Sequence, residues 1–303
     1  MQDLCWDNFL DLVELIEKHN FKEQWLSPIQ LVTFPYYGLS LKFNILNNKE
    51  IVLYVKLDKK FFPDATDYWY FSQVYYDKES NIDNLKENIK KDLLILNNSN
   101  EEFLGGNLSW EMVNDFGFAS YDLFESKVIS NYIYELNSLK TFVGKKMQKK
   151  RNHLNFFINN FASKTIIKDI REVALKDIFN YFEYHMKNYG DEYREYELEI
   201  YRNFLTNFLN QNKNFSGIVL YFENQIVGVT LGFLRKNVYE IIIEKANHDL
   251  RGVHQFLIQN NLIKNNINCP YIDRQDDGAI EALAISKHSY HPIYEIKRYW
   301  FKK

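Results

Sequence analysis

From residue 165 to the C-terminus the hydrophobic period switches repeatedly between two and about 3.6, which restricts this stretch to strands and helices in alternation. Residues 165–170 read as a strand, and 174–188 and 193–211 as two successive helices broken at Gly190. Residues 216–222 form a strand, Glu223-Asn224-Gln225 a tight turn and 226–234 the returning strand, so a hairpin is expected there. A strand over 239–245, a helix over 251–265, a short strand at 269–272, a helix over 279–287 and a last strand at 294–301 complete the series.

The first half is less regular. Residues 3–18 place Leu4, Phe9, Leu12, Val13, Leu15 and Ile16 on one helical stripe, and 83–96 repeat the pattern with Leu85, Ile89 and Leu93. Between them lie two strand-like runs, 51–57 and 68–75, separated by a Pro/Asp turn region. The pattern breaks up near Gly105-Gly106 and Gly117. A boundary around 125–130 divides the 303 residues into expected domains 1–127 and 128–303. The expected class is α/β (α+β), each domain a mixed twisted sheet flanked by helices. The order β-α-α-β-β-β-α-β-α-β of the second domain resembles that of a GNAT acyltransferase, and the first is expected to be a degenerate relative of it.

Composition narrows the functional classes. With 46% hydrophobic and 25% charged residues the chain is globular. Its two cysteines, Cys5 and Cys269, form neither a disulfide framework nor a zinc motif. No apolar run approaches the ~18 residues of a membrane span, and the acidic, amphipathic N-terminus is no signal peptide, so a cytoplasmic location is expected. No G-x-S-x-G, phosphate-binding P-loop, G-x-G-x-x-G or H-E-x-x-H is present. His288 and His291, three apart, are too sparse a set to mark a metal site.

The net charge of −3 conceals a segregation. Residues 136–168 carry eight basic residues and no acidic one, which leaves the rest of the chain at −11. Lys140, Lys145, Lys146, Lys149, Lys150 and Arg151 lead this segment, with Lys164 and Lys168 behind them. If 139–161 is one helix, Phe142, Met147, Leu154, Phe157 and Phe161 supply its apolar side. Two readings stay open: a solvated helix face, or a platform for a polyphosphate, an acceptor stem or an anionic membrane surface.

Two further segments could carry chemistry. At 244–255 a strand gives way to a helix, so free backbone N–H groups converge where Lys245, Asn247, Arg251, Gly252 and Gln255 lie. Gly252 would let a ligand approach the backbone, although the spacing departs from the glycine-rich Q/R-x-x-G-x-G/A form, and a helix start capped by Asn247 or Asp249 explains the segment equally well. At 273–278 the acidic residues Asp276 and Asp277 precede a helix whose dipole they suit. Beyond that helix Tyr290 and His291 are residue types able to relay a proton, with Pro292 biasing His291 toward extended backbone.

Three of these segments, 144–155, 244–255 and 273–292, resemble in order and content the soluble C-terminal domain of phosphatidylglycerol lysyltransferases, and more closely the free-standing bacterial proteins that share it. The resemblance implies two tandem GNAT-like domains and transfer of an aminoacyl group from aminoacyl-tRNA to a hydroxyl. Tyr290, His291 and Asp276 are the candidate catalytic residues. The candidate donor-binding residues are Lys245, Asn247, Arg251, Gly252, Gln255, Lys149, Lys150 and Arg151. The expected donor is aminoacyl-tRNA or acyl-CoA, with no tightly bound cofactor, no metal and an unassigned amine or hydroxyl acceptor. The alternative is a non-catalytic GNAT-like module that binds RNA, anionic lipid or a protein.

Overall fold

The computed structural model describes residues 1–19, 21, 25–47, 49–98, 105–125, 131–189 and 194–302. Gly190 and residues 126–130, where a helix break and the domain boundary were expected, lie outside them. Two compact units result: residues 1–131 with 276–279 and 295–303, and residues 132–275 with 280–294. In chain order the elements begin β1 (Gln2–Asp3), α1 (Phe9–Lys18), α2 (Pro28–Leu31), β2 (Leu39–Leu46), β3 (Glu50–Leu57), β4 (Tyr70–Tyr75), α3 (Ile82–Asn97), β5 (Gly105–Leu108), α4 (Trp110–Asp115) and β6 (Asp122–Glu125). They continue with β7 (Asn131–Glu135), α5 (Leu136–Thr141), α6 (Gln148–Asn160), β8 (Thr165–Asp169), α7 (Leu175–Tyr189), α8 (Arg194–Asn203), β9 (Phe215–Phe222), β10 (Gln225–Leu234) and β11 (Val238–Ala246). The last are α9 (Val253–Lys264), β12 (Tyr271–Asp273), α10 (Glu281–His288), β13 (Tyr294–Ile296) and β14 (Tyr299–Lys302).

The first sheet runs β1-β2-β3-β4-β5-β14-β6. Strand β4 is buried along its length, and α3 packs Leu85, Ile89 and Leu93 into the same core. Asn81 caps α3 by accepting a hydrogen bond from the Asn84 amide at 3.0 Å. Phe71, Phe116, Phe118 and Phe301 fill the centre, with the Phe118 and Phe301 rings 4.6 Å apart.

The second sheet runs β13-β7-β12-β11-β10-β9-β8. The expected hairpin is present: Glu223 and Asn224, with φ of 49° and 68°, turn β9 into β10. Between β10 and β11 the register skips Ile242, because Leu231 faces Ile243 while Gly232 faces Ile241. This bulge sits beside a second irregularity. Strands β11 and β12 pair in parallel from Val238 and Tyr271 only as far as Glu240 and Asp273, yet β11 runs on to Ala246. Past that point the two have no ladder between them, and a wedge opens within the sheet.

Several elements depart from expectation. The helix expected over 139–161 is two, α5 and α6, because Phe142 (φ 51°) and Gly144 (φ 100°) adopt left-handed backbone. The expected helix 193–211 ends earlier, passing at Phe204–Phe208 into a wider turn closed by the Leu209 amide on the Phe204 carbonyl. Asp276 and Asp277 do not open α10, since positive φ at Gly278 and Ala279 keeps the chain out of helix until Glu281. His291 is left-handed (φ 56°) rather than extended, and its amide closes a turn on the His288 carbonyl. The last expected strand is also two: β13 in the second sheet and β14 in the first.

Among the described residues no helix is long and apolar enough to cross a membrane.

Candidate functional site

The wedge is bridged by charge. Glu244, on the end of β11 that runs beyond its pairing with β12, accepts from Arg274 Nη2 at 2.8 Å and from Nε at 3.2 Å, and Arg274 immediately follows β12. Both side chains are 11% exposed. Burial works against ionisation of Glu244, but the guanidinium and then His254, 3.6 Å away, overcome it and hold the carboxyl at about 2. The same pairing raises Arg274, so both groups stay charged.

Around the pair lies an aromatic and cationic wall. The Arg274 guanidinium is 4.6 Å from the centre of the Tyr290 ring and 5.8 Å from that of Tyr134. Tyr290 is buried, and its hydroxyl accepts from Gln255 Nε2 at 2.5 Å. Burial pushes the Tyr290 phenol up to about 12 although Arg274 pulls the other way. Lys150 Nζ stands 3.8 Å above the same ring, and burial, then Arg274, then Lys149 lower its ammonium to about 8. Lys287 donates to the Arg274 carbonyl at 2.7 Å and to that of Gln275 at 3.2 Å, while Tyr134 donates to the Lys287 carbonyl at 2.9 Å. These bonds fix the backbone that carries the guanidinium.

Of the residues expected at a site, Tyr290, Gln255 and Lys150 meet here. The others are held in different company. Lys245 pairs with Glu197 at 2.8 Å, and Asn247 accepts from Tyr189 and from the Asp249 amide. Arg251 is exposed, 4.8 Å from the Phe156 ring. Lys149 is exposed, whereas Arg151 donates to the carbonyls of Phe142 and Gly144 at 2.6 and 3.1 Å, closing the break between α5 and α6. His291 Nε2 lies 3.2 Å from the Lys146 carbonyl. Asp276 belongs to the first unit, where it accepts from the Gly278 amide and from Gln30 Nε2.

Gly252 has a structural explanation. Its φ is +90°, and a Cβ there would stand 2.0 Å from the His153 carbonyl oxygen, so α9 starts pressed against α6. The glycine serves this close helix contact.

Glu244, Arg274, Lys287, Tyr134 and His254 had no assigned role in the sequence. All but Tyr134 lie within the singled-out segments, and a charged residue on a strand was the available signal for Glu244. Tyr134 had none, because only its register opposite Ile272 brings it to the wedge.

A second group lies on the other side of β11. His185 on α7 donates from Nε2 to the Ala246 carbonyl at 3.1 Å, and its buried Nδ1 makes no hydrogen bond among the described residues. Burial, and after it Lys245, lowers His185 to about 4. The His248 ring is 5.8 Å from His185 and 5.1 Å from His254. Among the described residues no three His, Cys, Asp or Glu side chains are grouped to hold a metal ion.

Residues 109–302, which include this whole cluster, match the family described as phosphatidylglycerol lysyltransferase, C-terminal. The chain belongs to that family. The lysyltransferase-family sequence is 35% identical over 174 residues to an uncharacterised protein of Mycoplasmoides gallisepticum, covering 57% of this chain and 56% of the relative. It thus spans just over half the length of the curated relative it matches. The fold extends along the whole chain. A conserved protein of unknown function from Bacteroides thetaiotaomicron superposes with a TM-score of 0.79 at 20% identity, covering 98% of this chain and 97% of the other. The C-terminal domain of a putative lysylphosphatidylglycerol synthetase from Agrobacterium fabrum gives 0.61 at 10% identity, over 97% and 92%. A tandem GNAT protein from the clavulanic acid biosynthesis pathway gives 0.52 at 8%, over 99% and 97%. The fold is therefore tandem GNAT-like, in agreement with the order of elements in the sequence.

Proposed function

We propose that the second unit is an acyltransferase domain that moves an aminoacyl or acyl group from a donor ester or thioester to an amine or hydroxyl acceptor. The observation that carries this reading is the wedge between β11 and β12, bridged by Glu244 and Arg274 and walled by Tyr290, Gln255 and Lys150. A reaction that builds negative charge on a carbonyl oxygen needs fixed positive charge in a partly dry setting, and this cluster supplies it without reorganising. The family's description, phosphatidylglycerol lysyltransferase, favours an aminoacyl group as the one transferred. So does Gly252, whose open side is filled by the His153 carbonyl, which weakens the case for a CoA pyrophosphate at that turn. The basic segment at 136–168 suits a polyanionic donor such as aminoacyl-tRNA, and a cytoplasmic location goes with that reading.

The test is to mix the purified chain separately with lysyl-tRNA and with acetyl-CoA, each with and without phosphatidylglycerol vesicles or a soluble amine. Loss of one donor's ester or thioester bond, dependent on an acceptor, is the expected result. Indifference to both donors, with salt-sensitive RNA binding retained, would replace the enzyme by a binding module.

A further inference from the structure

Helix α6 turns an acid-free side to solvent. Lys149, Asn152, Phe156 and Asn159, spaced three, four and three apart, share one face and are all exposed, with Gln148 and Asn155 beside them. A solvated helix face ordinarily mixes acids with bases, yet α6, α9 and α5 carry no acidic residue at all. The three are packed in series. The Phe157 and Phe256 rings, 4.6 Å apart, join α6 to α9, and Gln259 Nε2 donates to the Lys140 carbonyl at 3.0 Å, joining α9 to α5. Among the described residues Lys149 pairs with no carboxylate, and the side-chain amides of Gln148, Asn152, Asn155 and Asn159 make no hydrogen bond.

Phe156 adds an apolar ring that is 37% exposed. The contact of Gly252 with the His153 carbonyl brings the head of α9 alongside it, and Arg251, itself exposed, sets its guanidinium 4.8 Å from the ring centre. His153, three residues before Phe156, feels the same cations: burial, then Arg251, Lys150 and Lys149 lower its imidazole. An ammonium, a guanidinium and an exposed aromatic ring thus stand beside helices that hold no carboxylate.

We propose that this side of α6, together with Arg251, is a docking surface for the unpaired end of an RNA, with an unstacked base on Phe156 and Arg251 and an adjoining phosphate on Lys149. The inference rests on the aminoacyl-tRNA reading above and gives it residues that reading did not use, Phe156 first among them. Charge complementarity selects a polyanion. The side chains then decide between two kinds. An anionic bilayer takes up an apolar stripe, whereas this face offers one ring among four amides, whose burial without partners is unfavourable. A single strand of RNA matches each group: a base face for the ring and the guanidinium, base edges and 2′-hydroxyls for the amides, phosphate for the ammonium. A duplex keeps its base faces stacked inside, so the unpaired end is the part that fits.

The test is fluorescence anisotropy of the intact chain with a labelled RNA hairpin bearing a short unpaired 3′ tail and with the same hairpin cut blunt, beside co-sedimentation with phosphatidylglycerol vesicles. The tailed hairpin should bind about tenfold more tightly than the blunt one. Phe156→Ala should remove about five- to tenfold of that affinity without altering its salt dependence, and Phe156→Trp should restore it. Lys149→Ala should lower the slope of log K against log salt by about 0.7. Should Phe156→Ala melt early, Arg251→Ala, at an exposed position, reads the same platform. Equal binding of the two hairpins overturns the base platform, and a salt slope untouched by Lys149→Ala overturns the phosphate contact. Vesicle binding that these substitutions abolish, with no RNA binding, puts a membrane in place of RNA and overturns the proposal. If the tailed hairpin binds as described but lysyl-tRNA is never consumed, the transfer reading fails and the docking surface stands. If lysyl-tRNA is consumed with unchanged KM by Phe156→Ala and Arg251→Ala, the docking surface fails and the transfer reading stands.

Discussion

Glu244 and Arg274 meet through two parallel hydrogen bonds, of 2.8 and 3.2 Å, across the place where β11 and β12 cease to pair. Two strands that part leave backbone groups and polar side chains facing each other with no ladder to satisfy them. A planar guanidinium that grips a carboxylate at two points closes that gap and fixes the angle of the segment after β12. The pair therefore has a structural duty whatever passes through the wedge.

Breaking it should be costly. Arg274→Ala leaves a buried carboxylate uncompensated and is expected to destabilise the chain by about 3–5 kcal/mol. The double variant Glu244→Gln with Arg274→Met should lose markedly less, because no buried charge is stranded. Urea unfolding midpoints test this, and equal losses in the single and double variants would contradict it.

Stability should fall with acid in two windows. His185 is held near 4 against an ordinary 6.5, so between those values the unfolded chain binds a proton that the folded chain refuses. The stabilisation is complete above pH 6.5 and drains as pH falls toward 4. The Glu244 carboxyl is likewise depressed to about 2, so its contribution is complete above the ordinary glutamate range and is lost as pH drops from about 4.5 toward 2. In His185→Phe the fall between pH 6.5 and 4 should flatten while the lower window persists. An unchanged slope would show that His185 is not the group responsible.

Two left-handed glycines should behave differently. At Gly252 an added methyl meets the His153 carbonyl oxygen at 2.0 Å, so Gly252→Ala combines backbone strain with overlap and should cost more than about 2 kcal/mol. Gly144 has no atom within 4 Å of the same position, so Gly144→Ala should show only the strain, about 1–2 kcal/mol. Thermal melts of the two variants side by side decide the matter.

Neighbouring basic residues of α6 should also separate. Arg151 holds the Phe142 and Gly144 carbonyls, and Arg151→Ala is expected to cost about 1.5–3 kcal/mol. Lys149 is exposed, and Lys149→Ala should stay within about 0.5 kcal/mol. If a triple replacement of Lys149, Lys150 and Arg151 melts like the parent, Arg151 does not hold the turn.

The chain's own periodicity determined a great deal. The hairpin at Glu223-Asn224, the amphipathic helices α3 and α7, and the order of elements that marks a GNAT-like unit all follow from local rules of spacing and turn chemistry. The resemblance of the segments at 144–155, 244–255 and 273–292 to a known family was legible for the same reason: each is a continuous run of residues. Only tertiary structure decided the company those residues keep. Lys245, Asn247, Arg151 and Gly252 carry the residue types of a donor site, and the fold sets them against Glu197, Tyr189, two carbonyls and the His153 backbone. Conversely, Tyr134, Lys150, Glu244, Gln255, Arg274 and Tyr290 converge from four elements and from the segments that follow β12 and α10. A charge run in sequence looks the same whether its cations face water, a carbonyl or each other. What separates Lys149 from Lys150 is a single helical step, which leaves one in solvent and sets the other on a buried ring beside a guanidinium.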